Sequence, residues 1–297
     1  MGLRTKFNLA ILAAFLFGFC VTGILLNQRF VTSAREQVIA SARVMLSGAN
    51  SVRHYTTEEV EPLVGMERNG KFLAASVPSF AAQANFRGIS GEFPAYSYKE
   101  AALNPTNPGD RATDWEADLI NAFRQSPNLK EIIAERDTPT GRTLSLARPL
   151  SVTESACLTC HSQASAAPAA MLASYGSANG FGWHLHEVIG AQIISVLLAT
   201  PLAKARQSLI LFLAMLTGVF FLMLAILNVL LHYLVIRPMT QMSRIASEVS
   251  LGNMAADHFK ATGHDEVASL SAAFNRMRHS LETALHMLEE RDAAPES

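Results

Sequence analysis

The sequence predicts an α+β domain held between two transmembrane helices and followed by a short all-α module. Three observations carry that expectation. They are two long uncharged apolar runs, mixed helix and strand signals between them, and two apolar stripes at helical spacing after the second run. The first run, residues 9–26, has about the length that crosses a hydrocarbon core. Arg4 and Lys6 precede it, so the positive-inside tendency keeps residues 1–8 in the cytoplasm. A cleaved signal peptide would be shorter and end in a small-x-small site, and Leu26-Asn27-Gln28-Arg29 offers none. Cys20 in this run reads as a membrane cysteine, because Phe19 is too bulky for lipoprotein processing. Residues 208–236 form the second span, which leaves 27–207 outside and returns the C-terminus to the cytoplasm.

Composition fits that layout. A net charge of −1 and a positive mean hydropathy suit a small membrane protein and exclude a nucleic-acid binder, which would carry a basic face. The outer segment is long enough for one well-cored domain. Its elements are read in order. Residues 32–54 continue the first membrane helix outward, and 71–77 have strand composition. Asn104-Pro105-Thr106-Asn107-Pro108-Gly109-Asp110 is turn-forming. Asp114 is the expected N-cap of a helix carrying Trp115, Leu119, Ile120 and Phe123. Residues 143–152 read as a strand and 176–182 as a flexible loop. Two strand-like runs then flank Gly190, and Pro201 closes the second before a short helix feeds the next span.

The decisive motif follows the 143–152 strand: Cys157-Leu158-Thr159-Cys160-His161. Two thiols three positions apart, followed at once by an imidazole, are what covalent attachment of one c-type haem requires. The thiols add to the vinyl groups and His161 ligates the iron. The chain has three cysteines, so no second pair completes a four-ligand zinc site. A plain disulfide or reactive dithiol is the alternative. Haem is attached on the outer face of the bacterial inner membrane, where the two-span layout puts the motif.

The cytoplasmic remainder has its own pattern. After Arg237-Pro238, apolar residues recur at Met239, Met242, Ala246 and Val249, and Gly252 ends the helix as a C-cap. A connector, residues 253–264, leads to Asp265-Glu266, acids suited to a helix N-terminus. The second stripe is Val267, Leu270, Phe274, Met277, Leu281, Ala284 and Leu288. Two such helices bury their seams when two copies form a parallel four-helix bundle. Arg237-Pro238, Glu248, Gly252, Asp265-Glu266 and Phe274-Asn275-Arg276-Met277 closely resemble a HAMP module over residues 237–290, with 291–297 a tail. The resemblance implies a homodimer, through HAMP and the N-terminal helices, that relays a signal. A generic dimerising coiled coil is the bland alternative. With no kinase, cyclase or methyl-accepting hairpin in this sequence, the expected output is a separate cytoplasmic protein such as a histidine kinase, a cyclase or a chemotaxis component.

The outer domain resembles the single-haem, c-type, PAS-like sensor domains of bacterial chemoreceptors and kinases. The resemblance rests on Arg53-His54-Tyr55-Thr56, the Asn-Pro-Thr-Asn-Pro loop with Trp115-Glu116, Arg148-Pro149-Leu150 before the haem motif, and Gly180-Phe181-Gly182-Trp183. It implies a PAS-like fold with a long N-terminal helix and a mixed or antiparallel sheet. It also implies that a distal iron ligand, where present, tends to come from that helix, sometimes from the partner subunit. Met45 is ranked first and His54 second, with Met66, Met171, His184 and His186 the other outer candidates. Making or breaking a bond from Met45 to iron would then shift the helix. Arg53, Arg87 and Arg148 suit haem propionates, although ordinary salt bridges are the better expectation. The expected function is a sensor of redox state or of NO, CO or O2 acting through HAMP. A membrane-anchored monohaem electron carrier is the alternative, and no enzymatic activity is expected.

Overall fold

The computed structural model describes residues 2–253, 259 and 265–293. The expected connector beyond Asn253, Phe259 excepted, and the tail beyond Ala293 lie outside the described residues, as does the side chain of Leu288. The elements run α1 (Leu3–Tyr55), α2 (Glu61–Val64), β1 (Glu67–Arg68), β2 (Lys71–Phe72), α3 (Pro78–Glu92), β3 (Tyr96–Ala102), α4 (Asp114–Gln125), β4 (Ile132–Thr138), β5 (Gly141–Ser151), α5 (Cys157–His161), α6 (Ala169–Tyr175), β6 (Val188–Leu197), α7 (Ala199–Leu231), α8 (Arg237–Ser250) and α9 (Glu266–Ala293). The mixed α+β class is as expected. Residues 24–210 form one unit, and 1–23 with 211–297 form another.

In the first unit, β3, β6, β5 and β4 make a four-stranded sheet in that order, every neighbour antiparallel. One face packs on α1. Val38, Ala42, Leu46 and Ala49 recur there at helical spacing and meet Phe86, Leu144, Leu146, Ile194 and Val196. The other face buries Ala101, Ala147, Ala191 and Ile193 under Ile120 and Phe123 of α4. Burying both faces explains why β6 is apolar almost throughout. At the edge of the sheet, Arg35 and Arg43 of α1 form ion pairs with Glu135 and Glu131 of the β4 region at 3.0 and 2.8 Å.

Several local expectations are corrected. Residues 71–77 do not form one strand. Only Lys71–Phe72 pairs, with Glu67–Arg68, and Ala74–Ser76 turns as a 3₁₀ helix leading into Pro78 of α3. Helix α4 is capped by Thr113, one residue before the expected Asp114. Glu116 completes a capping box by accepting the Thr113 N–H at 2.8 Å. The two runs expected around Gly190 are one strand, β6, with Gly190 inside it. Added there, a Cβ would lie 2.3 Å from the Ala101 carbonyl oxygen, so only glycine lets β3 approach. Pro201 does not separate the strand from a short helix. It falls in the first turn of α7, where its missing N–H goes unneeded, and α7 continues to Leu231.

Among the described residues two helices, α1 and α7, each partly in the second unit, are long and apolar enough to cross a membrane. The Asn8 and Asn228 amides donate to each other's oxygens, both at 3.0 Å, and Phe15 stacks on Phe220 at 3.7 Å between ring centroids. Helix α8 starts at Arg237, as expected. It buries Met242, Ile245 and Val249, so Ile245 takes the place expected of Met239, which is exposed. Gly252, at φ +93°, ends α8, and Asp265 caps α9 by accepting the Ala268 N–H at 2.8 Å. Leu270, Met277 and Leu281 of the second stripe stay exposed in the single chain.

Candidate functional site

The Cys-Leu-Thr-Cys-His segment folds as the single turn α5, which brings both thiols and the imidazole to the wall of one cavity. The cavity has a volume of about 280 Å³. Its apolar wall includes Phe72, Val77, Phe80, Leu150, Val152 and Ile189. Cys160 is buried, with Sγ 3.7 Å from Met66 Sδ, and Cys157 is half-buried. Burial pushes both thiols above their ordinary pKa, so both stay protonated at neutral pH.

His161 is the most constrained of the three. Its Nδ1 lies 2.7 Å from the Gly180 carbonyl oxygen, and Trp183 stacks on the ring at 3.9 Å between centroids. Burial holds the imidazole below its ordinary pKa, so it is neutral at pH 7. A carbonyl can only accept, so the proton is on Nδ1 and Nε2 keeps its lone pair. The loop after α6 supports this arrangement through Gly182 N–H to Ser162 O at 3.0 Å and Trp183 N–H to His161 O at 3.2 Å. Gly180 is at φ +84°, and a Cβ on it would meet Thr106 Oγ1 at 1.9 Å. Two thiols and one imidazole therefore share one cavity, whose wall mixes apolar side chains with charged ones such as Arg53, Arg87 and Glu100.

Residues 29–196 match the Tll0287-like family model, more than half of the chain. The chain belongs to the Tll0287-like family. Residues 230–283 match the HAMP domain model. Among solved structures, the chain is similar to the crystal structure of the cyanobacterial heme-protein Tll0287, at 15% identity and a TM-score of 0.43, covering 54% of this chain and 94% of that one. No curated protein matches.

The Tll0287-like domain does not bring every expected residue to its cavity. Met45 packs beside the α1 cluster against the sheet, and neither Met45 nor His54 lines the cavity. His54, next to Arg53, is exposed instead, and for Met45 the reason is position along α1. The Ala42, Leu46 and Ala49 face meets the sheet, and the cavity begins only at Arg53. His184 and His186 also lie outside it, whereas Met66 and the buried Met171 are in its wall. Arg148 pairs with Glu131 at 3.0 Å, away from the cavity, while Arg53 and Arg87 line it. Sequence reasoning missed Glu100, Gly180 as the acceptor for His161, and the Trp183 stack. The run around Gly180 gave a signal only as a flexible loop and as the Gly180-Phe181-Gly182-Trp183 motif of the family resemblance, with no role for Gly180 or Trp183.

Proposed function

We propose that this chain is a membrane-bound c-type haem sensor that relays a redox or diatomic-gas signal through its HAMP domain to a separate cytoplasmic output protein. The observation that carries this is the His161–Gly180 contact, which leaves Nε2 as the free ring nitrogen beside two thiols in one cavity. That donor set fits haem c: Cys157 and Cys160 as thioether anchors, and His161 as proximal ligand with its other nitrogen tied to a carbonyl. When bound, the haem supplies a one-electron couple and, where its sixth position is open, a gas site.

The chain's own residues do the rest. Gly180 and Trp183 fix the imidazole plane. Met66 and Met171 are the thioethers in the cavity wall, which supports them over Met45 as sixth-ligand candidates. The haem domain is taken to be extracytoplasmic, with both termini in the cytoplasm. HAMP supports relay by a homodimer, whose second copy would cover Leu270, Met277 and Leu281. Sensing is favoured over plain electron transfer because the HAMP domain then has a role, and no catalytic role is assigned.

The test is the optical spectrum of the purified protein, ferric and ferrous, with and without CO and NO. A six-coordinate ferrous spectrum that resists CO assigns redox sensing. A five-coordinate one that binds gas assigns gas sensing. Absence of a haem spectrum removes the proposal.

A further inference from the structure

The end of α1 reaches the cavity through charge. Arg53 donates to Glu100 Oε2, and Glu100, only 2% exposed, also accepts from Tyr98 Oη at 2.6 Å. Gln192 Nε2 donates to Tyr98 Oη at 3.1 Å and to Asn50 Oδ1 at 2.8 Å. Asn50 and Arg53 are one turn apart on α1, and Glu100 and Gln192 are register partners on β3 and β6. Arg53 and Glu100 line the cavity, while Asn50 and Gln192 lie behind them. A hydrogen-bond chain thus runs from the cavity wall to the α1 face that meets the sheet. Nearer the membrane span, the same face of α1 is apolar, with Val38, Ala42, Leu46 and Ala49.

We infer that Arg53 and Glu100 are a positioning pair through which the net charge of the cavity acts on α1, an inference that rests on the haem reading above. Charge acts over longer range on a buried group than in water; Glu100 is buried, and Arg53 is its ion partner among the described residues. One-electron reduction of a haem held there, by an external one-electron donor, would lower the net charge of the cavity by one unit. The Arg53 guanidinium is then attracted to the cavity more strongly and the Glu100 carboxylate less, so the balance within the pair shifts. Loss of that electron reverses the change. Arg53 and Asn50 carry the adjustment directly into α1. No bond from an α1 side chain to iron is needed.

Linkage makes the idea testable, since a pair that responds to cavity charge must also bias the reduction equilibrium. The experiment is optical spectroelectrochemistry of the haem-loaded full chain as wild type, Arg53→Gln, Glu100→Gln, Arg53→Lys and the double Arg53→Gln/Glu100→Gln. Arg53→Gln favours the oxidised form and Glu100→Gln the reduced form, each by about tenfold, which is about 59 mV for a one-electron couple. Arg53→Lys and the double variant, which keep the net charge, return to within about threefold of wild type. Hydrogen exchange over residues 44–55 differs between oxidised and reduced wild type, and Glu100→Gln loses that difference. Single variants that shift the equilibrium in the same direction, or by less than twofold, overturn the inference, as does an exchange difference that survives in Glu100→Gln. If one single variant does not fold, the other, together with Arg53→Lys and the double, decides the matter by the same criteria. Wild type without haem overturns both this inference and the haem reading. Haem present with unmoved potentials overturns this inference alone.

Discussion

Gly180→Ala tests the geometry around His161 most sharply. Gly180 sits at φ +84°, and an added Cβ would lie 1.9 Å from Thr106 Oγ1, 2.8 Å from Thr106 Cβ and 2.9 Å from Thr106 Cα. Rotating the Thr106 side chain relieves only the first contact, so the loop itself must move. The left-handed backbone costs an alanine about 1 kcal/mol. Displacing the carbonyl that His161 uses costs about 1 kcal/mol more. Overpacking the loop adds roughly 1–3 kcal/mol. The sum, about 3–5 kcal/mol, lowers Tm by roughly 10 °C in a domain of this size. Gly182 provides the control. It has φ +80° but nothing within 4 Å of an added Cβ, so Gly182→Ala meets only the backbone cost of about 1 kcal/mol. The assay is thermal unfolding of the detergent-solubilised protein followed by circular dichroism. Equal Tm values for the two variants would refute the reasoning, because the steric term separates them.

Three further outcomes follow from the fold. Arg53→Ala leaves Glu100 buried without its ion partner and lowers stability by about 3 kcal/mol in denaturant unfolding. Glu100→Ala costs less, because the Arg53 side chain is already 26% exposed. Thr113→Ala removes the cap of α4 and lowers stability by about 1 kcal/mol in the same assay, whereas Asp114→Ala costs less than half as much. Burial holds Asp110 above its ordinary carboxyl pKa of 3.8. The native state therefore keeps that proton over a window above 3.8 in which the unfolded chain has lost it, and stability falls as pH rises through the window. Asp110→Asn abolishes that part of the slope in unfolding free energy measured from pH 3.5 to 7.

Much of the site was legible in the sequence because covalent chemistry needs fixed spacing. The Cys157, Cys160 and His161 motif names its own roles, and the following loop showed its glycines. The apolar spans and the HAMP signature were legible because a single physical rule dictates each pattern over many residues. The sheet was less so. Strand β3, Tyr-Ser-Tyr-Lys-Glu-Ala-Ala, hides its burial behind Lys99 and Glu100, whose partners Glu116 and Arg53 come from distant segments. Strand β4 alternates weakly because its polar side chains meet arginines of α1 and β5 at the sheet edge. That Met45 lies off the cavity of the single chain was not legible, because helix composition does not say where along α1 the cavity begins. The Gly180 acceptor was invisible because a backbone carbonyl carries no sequence signal.

The central claim is covalent haem on Cys157 and Cys160 with His161 as its ligand. Intact mass under denaturing conditions tests it most directly, on protein produced in cells able to mature c-type cytochromes. Wild type should carry the mass of one haem through denaturation, Cys157→Ala/Cys160→Ala should carry none, and His161→Ala should keep the mass while losing the native spectrum. Wild type at the bare polypeptide mass, or a double cysteine variant that still carries covalent haem, would contradict the account.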